Sequence, residues 1–392
     1  MSFDKPYEGI KVVDLSQGVA GPYCAYLLAR HGAEVIKVEP LEGDWSRALG
    51  QRYGDHTAFS VAANLGKKSL AVDLKTEAGR RIVEQLIPSA DVFLEGFRPG
   101  VIDRLGFGYD KLKAVNRGLI YLSVSGFGQV GPLREKPAMD PILQAFTGFM
   151  SENKGPDGVP HRTPTIVVDM STALYSHQAV VAALYAKARG APGRRINSSL
   201  MEAAANLQAI RMMSAVRDGP FRNVAGPGGT YLASDGGWIQ IAAVKNHEFE
   251  GVCRVLDKEE WIRDPRFKTT TDRYTHAAWL GEQVAAIIKT RPAAEWRDKL
   301  TAAGLQNEIV QTYDDFVRHS HTEASGLISW TEHDGGGAPW ATPNPAGTQR
   351  LESGAPDAIA PTLGQHTRQI LAELGYSASD ITALIEAKVV KA

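Results

Sequence analysis

The segment Ile10-Lys-Val-Val-Asp-Leu-Ser-Gln-Gly-Val-Ala-Gly-Pro-Tyr-Cys-Ala-Tyr-Leu-Leu-Ala-Arg-His-Gly-Ala-Glu-Val-Ile-Lys-Val-Glu39 decides the fold. Its two ends, residues 10–15 and 33–39, are apolar runs of strand length, rich in valine and isoleucine. Residues 21–31 between them read as a helix, with Pro22 in the first turn, where a missing N–H costs little. Strand, helix and strand in that order make a βαβ unit. Working outward, strands are expected at residues 69–73, 91–95 and 119–125, with a helix at 76–86. This alternation predicts an α/β fold with a mostly parallel sheet and helices on its faces. Ligands of such sheets lie beyond the carboxyl ends of the strands, so residues 16–21, 96–100 and 126–131 are candidate site loops.

Further along, residues 140–150 and 170–189 read as helices, 196–200 as a short strand and 201–216 as another helix. A turn-rich passage precedes a hairpin at residues 231–243 around Asp235-Gly-Gly, and residues 247–303 have a helical pattern. The expected organisation is a large domain over residues 1–216, a linker at 217–229, a small α+β domain at 230–325 and a return to the large domain at 326–392.

Composition excludes several classes. The 392 residues carry 43 basic and 44 acidic side chains, so no global basic field argues for nucleic acid or an anionic membrane surface. Two cysteines, Cys24 and Cys253, supply neither a disulfide framework nor a zinc ladder. No apolar run approaches the about 20 residues of a membrane helix, and residues 1–7 lack the pattern of a signal peptide. The expectation is a soluble, cytoplasmic protein with no nucleic-acid or membrane partner. His319 and His321 have no third ligand at a metal-binding spacing, and no metal is expected.

The chemistry concentrates in a few places. Gln17-Gly-Val-Ala-Gly-Pro22 follows the first strand but lacks the first glycine of G-x-G-x-x-G, which argues against a nicotinamide or flavin site. Lys67, Lys68 and Lys75 with Arg98 and Arg104 form a candidate basic cluster for a ligand with several phosphates. Asp169 ends the run Thr163-Pro-Thr-Ile-Val-Val-Asp169, where a strand is expected to hand over to a helix. Two readings of it stand: a helix N-cap, which the residue alone favours, or a carboxylate that becomes covalently acylated.

Asp14-Leu-Ser-Gln-Gly-Val-Ala-Gly-Pro22, Ala33-Glu-Val-Ile-Lys-Val-Glu39, Asn64-Leu-Gly-Lys-Lys-Ser-Leu-Ala-Val-Asp-Leu-Lys75, Glu95-Gly-Phe-Arg-Pro-Gly100, Asp103-Arg-Leu-Gly-Phe107, Asp169 and Leu363-Gly-Gln-His-Thr367 together resemble the class III CoA-transferases. That group includes formyl-CoA and carnitine CoA-transferases. The resemblance implies a Rossmann-like large domain built from both chain ends, a small domain inserted between them, and an interlocked homodimer. It implies no permanently bound cofactor. Coenzyme A or acyl-CoA is a substrate, with a small carboxylic acid as the other partner. CoA contacts fall on Gln17, Gly18, Val19, Ala20, Val72, Lys75, Phe97, Arg98 and Arg104. The nucleophile falls on Asp169, where helix-end N–H groups are expected to steady its oxyanions. The family's glycine-rich substrate loop has its counterpart in Gly226-Pro-Gly228-Gly229.

There are departures from the family pattern. Gly96 stands where some members carry asparagine, and Pro40 and Ser125 stand where formyl-CoA transferases carry basic residues. Two rival readings remain. An α-methylacyl-CoA racemase of the same fold needs a histidine where this chain has Met139, and a non-catalytic CoA-binding protein needs no nucleophile.

Overall fold

The structure, a computed structural model, describes residues 5–155, 157–219, 227–333 and 335–392. It divides into two compact units: Met1–Met213 with Glu323–Ala392, and Ser214–Thr322.

In the first unit the quoted segment forms β1 (Lys11–Asp14), the helix Ala20–Arg30 and β2 (Glu34–Glu39). The strands β3 (Lys68–Val72), β4 (Val92–Glu95), β5 (Ile120–Ser125) and β6 (Arg195–Ser199) follow. Later in the chain come β7 (Gly229–Leu232), β8 (Trp238–Ala242), β9 (Gln306–Ile309), β10 (Ile328–Thr331), β11 (Trp340–Pro343) and β12 (Val390–Lys391). The main sheet runs β12-β3-β2-β1-β4-β5-β6, and every pairing is parallel except that of β12 with β3. The chain winds outward from β1 through β2 to β3, then returns to lay β4 on the other side of β1. That reversal opens a crevice beyond the carboxyl ends of β1 and β4.

Alternation along each strand supplies two cores. Val13, Phe93 and Tyr121 point to one face, with Ile82, Phe107 and Leu371. Val12, Val92, Leu94, Ile120 and Leu122 point to the other, with Cys24, Leu28 and Val180. There the helices Ala20–Arg30 and Val167–Ala188 lie against each other. The edge strand β12 and the hairpin β10–β11 had no clear signal in the sequence.

The expected strand before Asp169 does not form. The helix begins at Val167, so Asp169 is its third residue rather than its cap. The β-branched run Ile166-Val167-Val168 is strand-like by propensity, but the packing of Val167 and Val168 on the second core overrides that preference.

Beneath the loop that leaves β1 lies a set of buried charges. Asp14 pairs with Lys67 at 2.9 Å and lies 4.0 Å from Lys37. Lys37 also pairs with Asp44 at 2.9 Å and donates to the Ser16 carbonyl. Glu39 holds Arg47 by two contacts, at 2.7 and 2.9 Å. All six side chains are buried, three carboxylates against three cations. Lys67 is therefore a structural ion, not a free member of a phosphate-binding cluster, and it also donates to the Pro22 carbonyl at 2.8 Å. Lys68 pairs with Glu34 at 2.6 Å and is likewise committed.

In the second unit β7, β8 and β9 form an antiparallel sheet. The expected hairpin turns at Asp235, whose carboxylate accepts from Gly237 N. Helices pack on it through Phe249, Trp261, Leu280, Val284 and Trp296.

Removing one member of a buried ion pair leaves its partner unpaired in a dry site. Lys67→Met should therefore lower unfolding free energy by about 3–5 kcal/mol in denaturant titration. Arg81→Met, which breaks an exposed pair with Glu77, should change it by less than about 1 kcal/mol.

Candidate functional site

A cleft of about 620 Å³ opens at the switch point between β1 and β4. Its walls are the three loops that leave β1, β4 and β5, together with the approach to the helix Asp140–Phe146 and the first turn of Val167–Ala188.

The β1 loop contributes Gln17, Val19 and Ala20. Its backbone is set by Gly18, which has φ +82° and whose N–H donates to both Asp44 oxygens, at 3.0 and 3.1 Å. A Cβ on Gly18 would stand 2.2 Å from the Trp45 ring, so only glycine fits under that indole. Gly18 thus shapes the loop, while Gln17 and Trp45 line the cleft. The Gln17 side chain has no hydrogen-bond partner among the described residues.

The β4 loop contributes Phe97 and Arg98. Phe97 N donates to Glu95 Oε2 at 2.9 Å, and Ser123 Oγ, on the neighbouring β5, donates to the other oxygen of Glu95. Burial pushes the Glu95 carboxyl up to about 7 against these hydrogen bonds. Lys75, Arg98 and Arg104 follow the carboxyl ends of β3 and β4, are all exposed, and have no acidic partner among the described residues. Val72 closes β3 with its side chain in the core.

Asp169 reaches the cleft from the third position of its helix. Its carboxyl has no hydrogen-bond partner among the described residues, and its pKa is raised to about 7, first by burial and then by the charge of Asp140. The expected helix-end donors are not available to it. Val168 N and Asp169 N both donate to Asp140 Oδ2, at 2.7 and 3.1 Å, and Met170 N donates to Ile166 O at 3.0 Å.

Four contributors went unassigned in the sequence reading: Asp140, Glu95, and the cleft-lining cations Arg134 and Lys136. Asp140-Pro141 reads as a local helix start, and its partner 28 residues away leaves no local signature. Arg134 and Lys136 sit in a loop that was read only for a histidine. Met139 stands at the cleft, and no histidine lines it among the described residues. Gly228 and Gly229 belong to the second unit, Gly229 opening β7, and Gly226 lies outside the described residues. Among the described residues no three His, Cys, Asp or Glu side chains form a metal-holding group, and no helix is long and apolar enough to cross a membrane.

Comparison with known proteins places this geometry in context. The model of CoA-transferase family III matches residues 7–367. Acetyl-CoA:oxalate CoA-transferase of Acetobacter aceti is 36% identical over 309 residues, covering 76% of this chain and 79% of that protein. Succinyl-CoA--D-citramalate CoA-transferase of Chloroflexus aurantiacus is 31% identical over 393 residues, covering 98% of each. The crystal structure of a CAIB/BAIF family protein from Brucella suis superposes with a TM-score of 0.81 at 30% identity, covering 95% of this chain and all of that one.

Because the Asp169 value in the folded chain lies above the ordinary 3.8, its ionisation costs stability. That cost is absent below about pH 4, grows as pH rises, and is complete above about 7. Asp169→Asn should therefore melt a few degrees higher than the parent at pH 8, with the difference disappearing toward pH 4 in calorimetry. An unchanged difference across that range would place the burden elsewhere.

Proposed function

The chain belongs to CoA-transferase family III, and we propose that it moves CoA from an acyl-CoA thioester to a small carboxylic acid through covalent intermediates on Asp169. The observation that carries this reading is the Asp169 carboxyl, unpartnered in the switch-point cleft with its proton affinity raised to about 7. A fully hydrated carboxylate is a weak nucleophile toward a thioester. One stripped of donors is more basic and starts from a less stabilised ground state. About half of such groups are ionised at neutral pH.

The ionised Asp169 oxygen attacks the thioester carbonyl, and the tetrahedral adduct collapses with loss of the CoA thiolate, leaving an aspartyl–acyl anhydride. The thiolate then attacks the aspartyl carbonyl and expels the donor acid as its carboxylate, leaving an aspartyl–CoA thioester. The acceptor carboxylate attacks that thioester and releases thiolate. The second anhydride breaks as thiolate adds to the acceptor's acyl carbon, which restores Asp169 and yields the new acyl-CoA. No net proton moves, and water is the competitor to be kept out.

Each tetrahedral adduct places charge on an oxygen that needs a donor. The free amide of Gln17 lines the cleft and meets that need. The exposed cations Lys75, Arg98 and Arg104 suit the phosphates of CoA, while Val19, Ala20 and Phe97 supply apolar wall for its pantetheine arm. Gly18 and Val72 act through the backbone they shape. The substrate-loop role of Gly226, Gly228 and Gly229 is part of the same reading, as are the homodimer and the cytoplasmic setting. Leu174, Tyr185 and Ile210 are exposed in the single chain, which supports a partner surface. Racemase chemistry is less well served, since a two-base proton transfer needs an ionisable group and Met139 has none.

Asp169→Ala should lower turnover by roughly 10³-fold or more, while CoA binding measured by calorimetry stays within about threefold. In the parent, incubation with acyl-CoA followed by hydroxylamine should leave a hydroxamate on the peptide containing residue 169, read by mass spectrometry. Continued turnover in the alanine variant would sink the mechanism.

A further inference from the structure

The helix Val167–Ala188 reaches its N-terminus without a cap of its own, since Ile166 occupies the cap position and offers no side-chain oxygen. Such an end leaves several N–H groups without intrahelical partners and carries a positive dipole. An aspartate in that first turn is ordinarily stabilised in its ionised form. Here the donors are already engaged. Val167 N donates to Thr165 O at 2.7 Å, Val168 N and Asp169 N donate to Asp140 Oδ2, and Met170 N donates to Ile166 O.

Asp140 is itself held from behind. It is 3% exposed, opens the helix Asp140–Phe146, and accepts from Gln144 Nε2 at 2.5 Å through its second oxygen. Gln144 in turn accepts from Thr163 N at 3.0 Å, which ties the segment leading into the Asp169 helix to the same residue. A carboxylate fixed by three donors, two of them on the nucleophile's own turn, is more than a helix cap.

We propose that Asp140 is a positioning residue for Asp169: it consumes the N–H groups of Val168 and Asp169, sets a like charge behind them, and so denies the nucleophile the stabilisation of its own helix end. This rests on the reading of Asp169 as the nucleophile. The other charged groups facing the cleft are Arg98 from the β4 loop and Arg134 and Lys136 from the loop ahead of Asp140. All three are exposed to water, which screens them, and none is bonded to Asp169 among the described residues. The raised proton affinity of Asp169 agrees with this arrangement, Asp140 being its second cause after burial.

The test is a direct titration of the Asp169 carboxyl by ¹³C NMR in protein labelled at aspartate carboxyls, its resonance identified by its absence in Asp169→Asn. Asp140→Asn should lower that midpoint by about one pH unit or more, since it removes the like charge and weakens the hold on the N–H groups of Val168 and Asp169. The acid limb of kcat/KM should move down with it. The plateau should fall as well, because a less basic carboxylate attacks more slowly. Asp140→Glu, which keeps the charge, should hold the midpoint near the parent value. If the asparagine variant does not fold, Asp140→Ser, with an acceptor and no charge, carries the same expectation. A uniform loss of activity at all pH values with an unmoved midpoint would show a merely structural Asp140 and overturn the proposal. A lowered midpoint in enzymes that transfer no CoA would keep the positioning role and sink the transferase reading instead.

Discussion

Lys37 stands between Asp14 and Asp44 with no access to water, and the first unit is organised around that constraint. A buried ion is tolerable only when its partners surround it, so each neighbour must be in place for the others to be stable. The set joins β1, β2 and the residue before β3 to the turn at Trp45–Ala48. It also reaches the end of the chain. Arg47 donates to Pro361 O at 3.1 Å, and Ser69, bonded to Glu39, accepts from Gly364 N at 2.9 Å. Asp44 then hands this rigidity to Gly18, and through Gly18 to the wall of the cleft.

The cleft uses the opposite electrostatic solution a short way along the chain. Below the β1 loop every charge is matched. At Asp169 the matching groups are withheld, and its carboxyl holds its proton to about pH 7. A carboxyl that is costly to ionise keeps its geometry only on a scaffold with stability to spare. The relatives named above act on different acids, oxalate and D-citramalate among them.

Much of this was readable in the sequence. The βα alternation was legible because buried parallel strands are short apolar runs with helices between them, and the loops at their carboxyl ends followed from topology alone. The helical position of Asp169 was not legible, since Ile-Val-Val favours a strand by propensity. Lys67 looked like a free cation because nothing local reveals that Asp14, 53 residues earlier, lies beside it. Asp140 was passed over for the same reason. A cap that serves another helix has no local spacing rule, and only the packed structure shows which N–H groups it takes. Arg134 and Lys136 were hidden in a loop of ordinary composition.

The last strand has a consequence for how the chain is made. β12 covers the open edge of β3, and its residues are made long after those of β3. Until then β3 presents unpaired backbone, and Arg47 lacks the Pro361 carbonyl that completes its shell. The second unit, whose contacts are contained in one continuous stretch, is free to fold on the ribosome while the first waits for β12. The first unit is thus held together by contacts between residues far apart in sequence, and the second by contacts within one stretch.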